Sequence, residues 1–278
     1  MIHFFSTLRG RLMLLLLFSI LPALGLMLYT FLRQRDEALE RAKLESLKLT
    51  QVIAIDAEHF VEGTRQLLLA LAQFPELQKG TVASCNRLFG TLLKQYPQFA
   101  NIAAARASDG TVFASALPMK SRVNVSDRSW FRQTLTSRDF AVGDYQIGRL
   151  TGKPTVNFSY PVTDARGEIT AVVFAAFDLA WFEQLAGKVP LGKGVIFAIV
   201  DGSGTILVRQ PDPERWVGKP MVEALTINAL LNRGEGTAEI EGPNDSPYLY
   251  TFSRLPYEGS RAFVTVGIPK KVLLASIN

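Results

Sequence analysis

The sequence has little of the chemistry on which several enzyme classes depend. Its 278 residues include one cysteine, Cys85, and two histidines, His3 and His59. A single cysteine excludes an intrachain disulfide, and two histidines argue against a histidine-rich metal site or a histidine-based catalytic triad. We therefore expect a protein that is not an enzyme and that carries no metal and no other cofactor.

Short catalytic and nucleotide-binding motifs are also missing. The glycine-containing segment 143–152 has neither the GxGxxG nor the Walker spacing that cradles phosphates. Ser203 lies in Asp-Gly-Ser-Gly and not in the GxSxG pattern of a nucleophile elbow, so we interpret it as a hairpin tip. A periplasmic hydrolase, the enzymatic alternative, would need a nucleophile with a base, or a metal cluster, and the sequence indicates neither.

Charge gives no reason to expect a nucleic-acid partner. The formal net charge is +5 and the pI about 9.3, but the lysines and arginines are scattered along the chain. A nucleic-acid-binding domain concentrates its basic residues in a stripe or an arm. The mild excess of positive charge indicates an ordinary surface.

One long apolar run stands near the N-terminus. No charged residue occurs from Leu12 to Leu32, and two arginines lie on each side of the run. As a helix it would span roughly 31 Å, the thickness of a bilayer core. We expect a transmembrane helix over 12–32, a cytoplasmic tail over 1–11 and the bulk of the chain outside. A cleaved signal peptide is the alternative, but the apolar run continues beyond the poor cleavage site at Ala23–Gly25.

A long amphipathic helix is expected next, over 33–75. The segment from Asp36 to Phe74 has no proline, and its apolar or small residues recur at steps of three and four from Leu39 to Leu71. A helix of this length that leaves a membrane directly is a stalk. Its stripe is either the seam of a homodimer or a face that packs on the following domain.

The remainder of the chain is predicted to be α+β, in two tandem modules. A helix over Val82–Gln95 precedes strands at 99–107 and 111–115, joined by an Asp-Gly turn, and a helix over Asp127–Ser137, capped by Ser126 or Asp127. Strands at 140–145, 155–161 and 169–178 complete the first module, 76–187. The strand, Asp-Gly turn and strand theme recurs at 195–209 and predicts a second module over 188–268. It adds a helix at 221–231 and strands at 236–241, 248–253 and 263–268, and residues 269–278 begin a last helix.

The first module holds the candidate binding residues. Arginine binds a carboxylate through two parallel hydrogen bonds, an acid binds an amine, and aromatic rings cover the rest of a small molecule. Core packing, helix capping and internal ion pairs are the alternative roles for these side chains. The candidates are Arg128, Trp130, Phe131, Tyr145, Asn157, Tyr160 and Asp178.

These residues resemble a family of bacterial extracytoplasmic sensor domains, the double Cache family, over roughly 36–278. The resemblance rests on Asp127–Phe131, Gly143–Arg149, Gly152–Pro161 and Asp178. It implies a long helix, two stacked PAS-like modules with central antiparallel sheets, and a ligand pocket in the membrane-distal one. It also implies a place in the bacterial inner membrane, with most of the chain in the periplasm.

In the amino-acid-binding branch of that family, an Arg, a Trp and a Tyr hold the ligand carboxylate, and a later Tyr and an Asp hold the amine. Carried over, Arg128, Trp130, Tyr145 and Asp178 match that pattern. Phe131 replaces the first tyrosine, and Val123 stands where the branch has a further tyrosine. These departures weaken the amino-acid interpretation and leave a small carboxylate or amine open.

We therefore expect a membrane-anchored sensor that binds a small solute in the distal module and signals through the stalk helix, like the sensors of chemoreceptors, histidine kinases and diguanylate cyclases. The sequence shows no output domain and no second membrane span. Either it is part of a longer receptor, or it is a stand-alone binding protein that acts through a partner. A purely structural dimerisation module is a further alternative.

Overall fold

The computed structural model describes residues 8–78, 81–186, 192, 194–221, 235–242, 246–257, 260 and 262–275. At 8–18 and a few other helical positions it describes the backbone alone. The helices in these ranges are α1 Leu8–Ala72, α2 Pro75–Gln78, α3 Val82–Gln95, α4 Ser129–Ser137, α5 Leu179–Ala186, α6 Pro213–Trp216 and α7 Lys270–Ala275. The strands are β1 Phe99–Arg106, β2 Val112–Ser115, β3 Ala141–Val142, β4 Gln146–Ile147, β5 Pro154–Thr163, β6 Ile169–Asp178, β7 Ile196–Val200, β8 Ile206–Gln210, β9 Glu235–Gly242, β10 Ser246–Arg254 and β11 Phe263–Pro269.

Helix α1 is continuous over 65 residues and includes Pro22. It covers both the predicted membrane span and most of the predicted stalk, and it ends three residues before Pro75, which opens α2 as prolines often do at a first helical turn. Within the described residues, no helix combines the length and the apolar composition needed to cross a membrane, so the prediction of a span over 12–32 is not confirmed.

The apolar stripe of α1 packs on the protein's own sheets. Phe60 contacts Phe99, Phe158 and Phe177 of the first module, with ring centroids 4.6–6.3 Å apart. Closer to the N-terminus, the hydroxyls of Ser46 and Thr50 lie 2.8 Å and 2.9 Å from the Thr251 hydroxyl in the second module. The stripe therefore packs on the following domain at these positions, and a homodimer seam along α1 stays a prediction. Leu49, which belongs to the predicted stripe, is exposed instead.

Two antiparallel sheets follow one pattern. The strand order of the first is β2-β1-β6-β5-β3, with β4 also paired to β5, and that of the second is β8-β7-β11-β10-β9. In each, the hairpin predicted from an Asp-Gly turn lies at one edge and pairs with the last strand of its module. The α+β class and the two antiparallel sheets are confirmed, and each sheet lies within one of the predicted modules.

The two hairpin turns need glycine for a backbone reason. Gly110 and Gly204 have φ angles of 69° and 86°, in the left-handed region that other residues adopt at a cost. Aspartate side chains complete both turns, because Asp109 accepts the Thr111 N–H and Asp201 accepts the N–H groups of Ser203 and Thr205. Both hairpins thus turn at a left-handed glycine supported by an aspartate, although Asp109 is one residue before its glycine and Asp201 is three residues before its own.

Three local predictions differ from the structure. Of the strand predicted over 140–145, only Ala141–Val142 is a strand, β3. Residues 143–145 are neither helix nor strand, and β4 follows outside the predicted range. Helix α4 begins at Ser129, and its N-cap is Arg128 without a side-chain cap bond, because the Asp127 carboxylate binds Arg149 instead. The helix predicted over 221–231 lies outside the described residues from position 222 onward.

Two glycine substitutions are expected to change stability in opposite directions. Gly90→Ala in α3 places a methyl group in open space, so it should raise the free energy of unfolding by about 0.4–1 kcal/mol through lower chain entropy. Gly267→Ala in β11 places a methyl group 2.6 Å from the buried Tyr250 ring and should cost about 1–3 kcal/mol. Urea unfolding of the two matched variants measures both effects, and a loss of stability in Gly90→Ala would contradict this packing.

Candidate ligand-binding site

A pocket lies on the face of the first sheet that is turned away from α1. Successive side chains of a strand point to opposite faces. In β5 and β6, Phe158 and Phe177 therefore pack toward α1, whereas Asn157 and Ala176 line the pocket. Helix α4 and the segment 146–151 close its other sides, and the volume open to water is about 30 Å³. That volume exceeds the ~10–15 Å³ that one water needs, so the pocket is small but has room for water.

The pocket wall combines polar side chains with a short apolar patch. Its polar side chains are Asn101, Arg128, Gln146, Arg149, Thr151 and Asn157. Its apolar side chains are Val123, Val125, Trp130, Leu150, Phe174 and Ala176. A few placed polar groups against an apolar wall are typical of small-molecule sites.

Arg128 presents a positive charge to this pocket. One of its guanidinium N–H groups donates to the Ile147 carbonyl at 3.2 Å, and within the described part of the chain no carboxylate forms a salt bridge with it. Burial lowers the pKa of Arg128, the neighbouring Arg149 cation lowers it further, and Asp127 opposes both. Its charge is therefore less than fully balanced, which favours an anion in the pocket.

Arg149 is paired with an acid. Its two terminal nitrogens bind the two carboxylate oxygens of Asp127 at 2.6 Å and 2.7 Å, a bidentate pair. The Arg149 hydrogen bond is the main reason why the pKa of Asp127 falls from 3.8 to about 2, and it raises the pKa of Arg149. The pair joins the start of α4 to the segment after β4, so it shapes the mouth of the pocket.

We expect the Asp127–Arg149 pair to stabilise the fold in a pH-dependent way. The folded-state pKa of Asp127 is depressed, so its stabilisation is complete above the unfolded-state value near 3.8 and is lost as the pH falls toward 2. Both side chains are largely exposed, so Asp127→Asn should cost less than about 1 kcal/mol at pH 7. The melting temperatures of the variant and the wild type should differ above about pH 5 and converge near pH 2.

The matched control for that prediction is Glu168→Gln, which changes an exposed acid in the turn between β5 and β6. It should leave the pH profile of the wild type unaltered. A difference between Asp127→Asn and the wild type that persists undiminished at pH 2 would contradict the assignment of the low pKa to Asp127.

Trp130 and Phe131 are both buried, but they take different positions. Trp130 lines the pocket, packs at a tilt on Phe174 with ring centroids 4.7 Å apart, and donates its indole N–H to Gln146 at 3.4 Å. Gly143 is required beside it, because a Cβ there would lie 2.8 Å from the indole ring. Phe131 packs edge-on to Trp130 inside the core and lies outside the pocket lining, which is the core role left open for it.

Asp178 lies beside the pocket, and its side chain has two partners. One carboxylate oxygen accepts the Ala180 N–H and caps α5, as the capping alternative predicted. The other oxygen binds the Lys153 ammonium at 2.6 Å. The Asp178 side chain is buried, whereas that of Lys153 is more than half exposed. The Asp178 side chain lies on the same face of the sheet as Ala176, which lines the pocket, but Asp178 itself is not one of the lining residues.

Tyr145 and Tyr160 do not line the pocket. The Tyr145 N–H donates to the buried Asp201 carboxylate at 3.1 Å, and its ring lies against Gly218, so this residue joins the first module to the second. Burial is the main reason why the pKa of Tyr145 rises, and Glu183 adds to it. Tyr160 packs into the core on the α1 side of the sheet. Both tyrosines therefore lie outside the lining of this pocket, and a ligand-binding role for them stays a prediction.

The structure brings Arg128, Trp130 and Asn157 together and adds residues that the sequence analysis missed. The main additions are Arg149, Gln146 and Thr151, which enter through the segment around β4. The sequence did contain a sign of them, because Gly143–Arg149 was one of the segments on which the family resemblance rests.

The fold and the pocket define a class of protein: two tandem α+β modules on one long helix, with a small polar cavity in the first. The sequence pattern of the Cache domain family, in its double form, matches residues 34–277, and the chain belongs to this family. Family and fold neighbours are sensor and ligand-binding domains.

Three relatives illustrate the match. Sporulation kinase D of Bacillus subtilis is 21% identical over 198 residues, which are 71% of this chain and 38% of that kinase. An extracellular domain assigned to a histidine kinase, rpHK1S-Z16, aligns with a TM-score of 0.75 and 20% identity over 85% of this chain and 98% of its own. The ligand-binding domain of the Pseudomonas fluorescens chemoreceptor CtaA, in complex with L-isoleucine, aligns with a TM-score of 0.69 and 17% identity over 87% and 98%. The chain therefore spans well under half of the curated relative, and the two solved structures support the fold.

Proposed function

We propose that this protein is an extracytoplasmic sensor that binds a small organic solute in the pocket of its first module and passes the binding event to a signalling output. The observation that carries the proposal is the Arg128 guanidinium, which faces the pocket without a carboxylate partner among the described residues. A partly buried cation of this kind is stabilised when an anionic group of a ligand enters the pocket. Relatives in complex with amino acids, such as CtaA with L-isoleucine, support the same use of the fold.

Two connections could carry the effect of binding beyond the pocket. Helix α1 contacts the first module through Phe60 and the second through Ser46 and Thr50. The segment around β4 lines the pocket, and directly before it Tyr145 binds Asp201 of the second module. A ligand that prefers one arrangement of this segment shifts the equilibrium by at most its preference, typically ~1–3 kcal/mol.

Attachment to the bacterial inner membrane, with the modules on the outer side, is part of the proposal. Large apolar side chains between Ile20 and Leu32 are exposed on α1, where no other part of the described chain covers them. Isolated exposed apolar residues are common, but a continuous exposed segment indicates an apolar environment. Homodimerisation through α1 and the identity of the output stay predictions.

A ligand screen tests the proposal. The full chain, purified in mild detergent, is melted in the presence of organic acids, amino acids and amines. A sensor responds to one chemical class with a rise in melting temperature that grows with concentration, because a ligand that binds the folded state stabilises it. No response to any class, together with an unchanged melt at millimolar concentrations, would favour a purely structural module and would refute the proposal.

A further inference from the structure

The charged side chains around the pocket limit the class of ligand that it can bind. Two of the acid–base pairs of the first module lie at or beside the pocket, Asp127 with Arg149 and Asp178 with Lys153. Arg128 is the pocket cation that, in the described residues, forms no such pair. The pocket therefore offers a site for a negative group and, next to it, an acid that is already neutralised.

From this arrangement we propose that the ligand is a short aliphatic carboxylate without an ammonium group. The inference rests on the proposed function, because it names the ligand class of that same pocket. The carboxylate binds the guanidinium of Arg128, and the carbon chain contacts the wall formed by Val123, Val125 and Leu150.

Lys153 is the residue that excludes an amino acid. Asp178 lies one step beyond the pocket lining and is the acid that the family resemblance assigns to a ligand ammonium. The Lys153 ammonium lies 2.6 Å from one oxygen of its carboxylate, and the other oxygen caps α5. An incoming ammonium would have to displace Lys153 and would replace one ammonium–carboxylate contact by an equivalent one. It therefore gains little free energy there. An ammonium that does not displace Lys153 stays next to Arg128 and Arg149, where like charges repel it.

The size of the cavity points in the same direction. A volume open to water of about 30 Å³ admits few heavy atoms in addition to the carboxylate. The apolar side chains of the wall offer contact area to methyl and methylene groups. The ligand is thus short, with one charged end and one apolar end.

Matched pairs of compounds test this inference. Acetate and glycine, propionate and alanine, and isovalerate and valine differ within each pair by one ammonium group, and ethylamine carries that group alone. Isothermal titration of the full chain should give a binding constant for at least one acid. Its amino-acid partner should bind at least about tenfold more weakly, and ethylamine should give no heat.

Lys153→Ala is the decisive variant. Removal of the lysine leaves the Asp178 carboxylate without its ammonium partner, so the affinity for the amino acid should rise at least about tenfold, while that for the acid changes by less than about threefold. Lys94→Ala, which removes an exposed lysine of α3, is the matched control and should leave both affinities unchanged.

Equal binding of an acid and its amino-acid partner to the wild type would overturn this inference and leave the proposed function standing. An amino-acid affinity that does not respond to Lys153→Ala would overturn the role of Lys153. If no compound of any class binds, the proposed function falls as well, and the two failures are distinguishable.

Discussion

Arg128→Ala is expected to weaken binding of the ligand by about a hundredfold while the protein stays folded. Removal of one partner of a buried charge pair costs about 2–5 kcal/mol of binding free energy. A hundredfold loss is about 2.7 kcal/mol, in the lower part of that range, because Arg128 is only partly buried. The fold itself does not need this side chain. Arg128 is the N-cap of α4 with φ −76° and ψ 137°, an extended conformation that alanine adopts readily, and it makes no capping bond. A positive charge at a helix N-terminus is also unfavourable to the helix dipole.

The measurement for Arg128 is titration of the ligand found in the screen, together with a melt of each variant without ligand. Arg128→Lys keeps the charge but loses the planar fork, so its affinity should lie between those of the wild type and Arg128→Ala. Arg166→Ala, in an exposed turn, is the control for the loss of an arginine in general. Unchanged affinity in a folded Arg128→Ala protein would remove Arg128 from the site.

Asp201→Ala should be the most destabilising of the single substitutions considered. The buried carboxylate accepts the N–H groups of Ser203, Thr205 and Tyr145 and the Ser203 hydroxyl, at 2.6–3.1 Å. Alanine leaves these donors without their acceptor inside the protein, which should lower the free energy of unfolding by about 3–5 kcal/mol. For a chain of this size the melting temperature should fall by roughly 6–20 °C.

The repeated turn provides the matched control for Asp201. Asp109 completes the corresponding turn of the first module, but it is exposed and bonds Thr111 and Arg122 within that module. Asp109→Ala should therefore cost clearly less than Asp201→Ala. Asp201→Asn keeps the oxygen that accepts the turn N–H groups and replaces the oxygen that accepts the Tyr145 N–H by an amide NH₂ group. The stability lost in this variant therefore measures the contact between the modules alone.

Circular dichroism melts and urea titrations compare these variants directly. Equal losses in Asp109→Ala and Asp201→Ala would show that the turn alone matters and that the bond to Tyr145 adds nothing. A loss in Asp201→Asn that is close to zero would lead to the same conclusion. In either case the Tyr145–Asp201 connection would no longer support a route from the pocket to the second module.

The periodic parts of the fold could be predicted because they depend on local geometry. The absence of proline from 36–74 and the steps of three and four predicted helix, and the Asp-Gly turns at 109–110 and 201–204 predicted two hairpins. Most strand bounds agree within two residues. The break between β3 and β4 was missed. Gly143, in this break, lies against the Trp130 ring of α4, a contact between two elements that side-chain periodicity does not reveal.

The candidate site was predicted in part, and one error could have been avoided from the sequence. Asn157 and Tyr160 are three residues apart on one strand, so they must face opposite sides of a sheet, and only one of them can line a pocket on either face. Tyr145 is different, because its sequence context gives no indication that the chain bends there toward the second module. Arg149 was missed because its place at the pocket depends on an ion pair with Asp127, which is 22 positions earlier in the sequence.

The sequence by itself determined the elements, the repeat of two modules, the family and the segment that carries the pocket, because these depend on side-chain periodicity, on turn residues and on motifs of adjacent positions. Only the tertiary structure decided which charged side chains pair with each other. Asp127 is paired with Arg149, Asp178 with Lys153, and Arg128 faces the cavity. Ion pairs form between groups that the fold brings within about 3 Å of each other, whatever their separation along the chain, and so the character of the pocket arises only when the chain is folded.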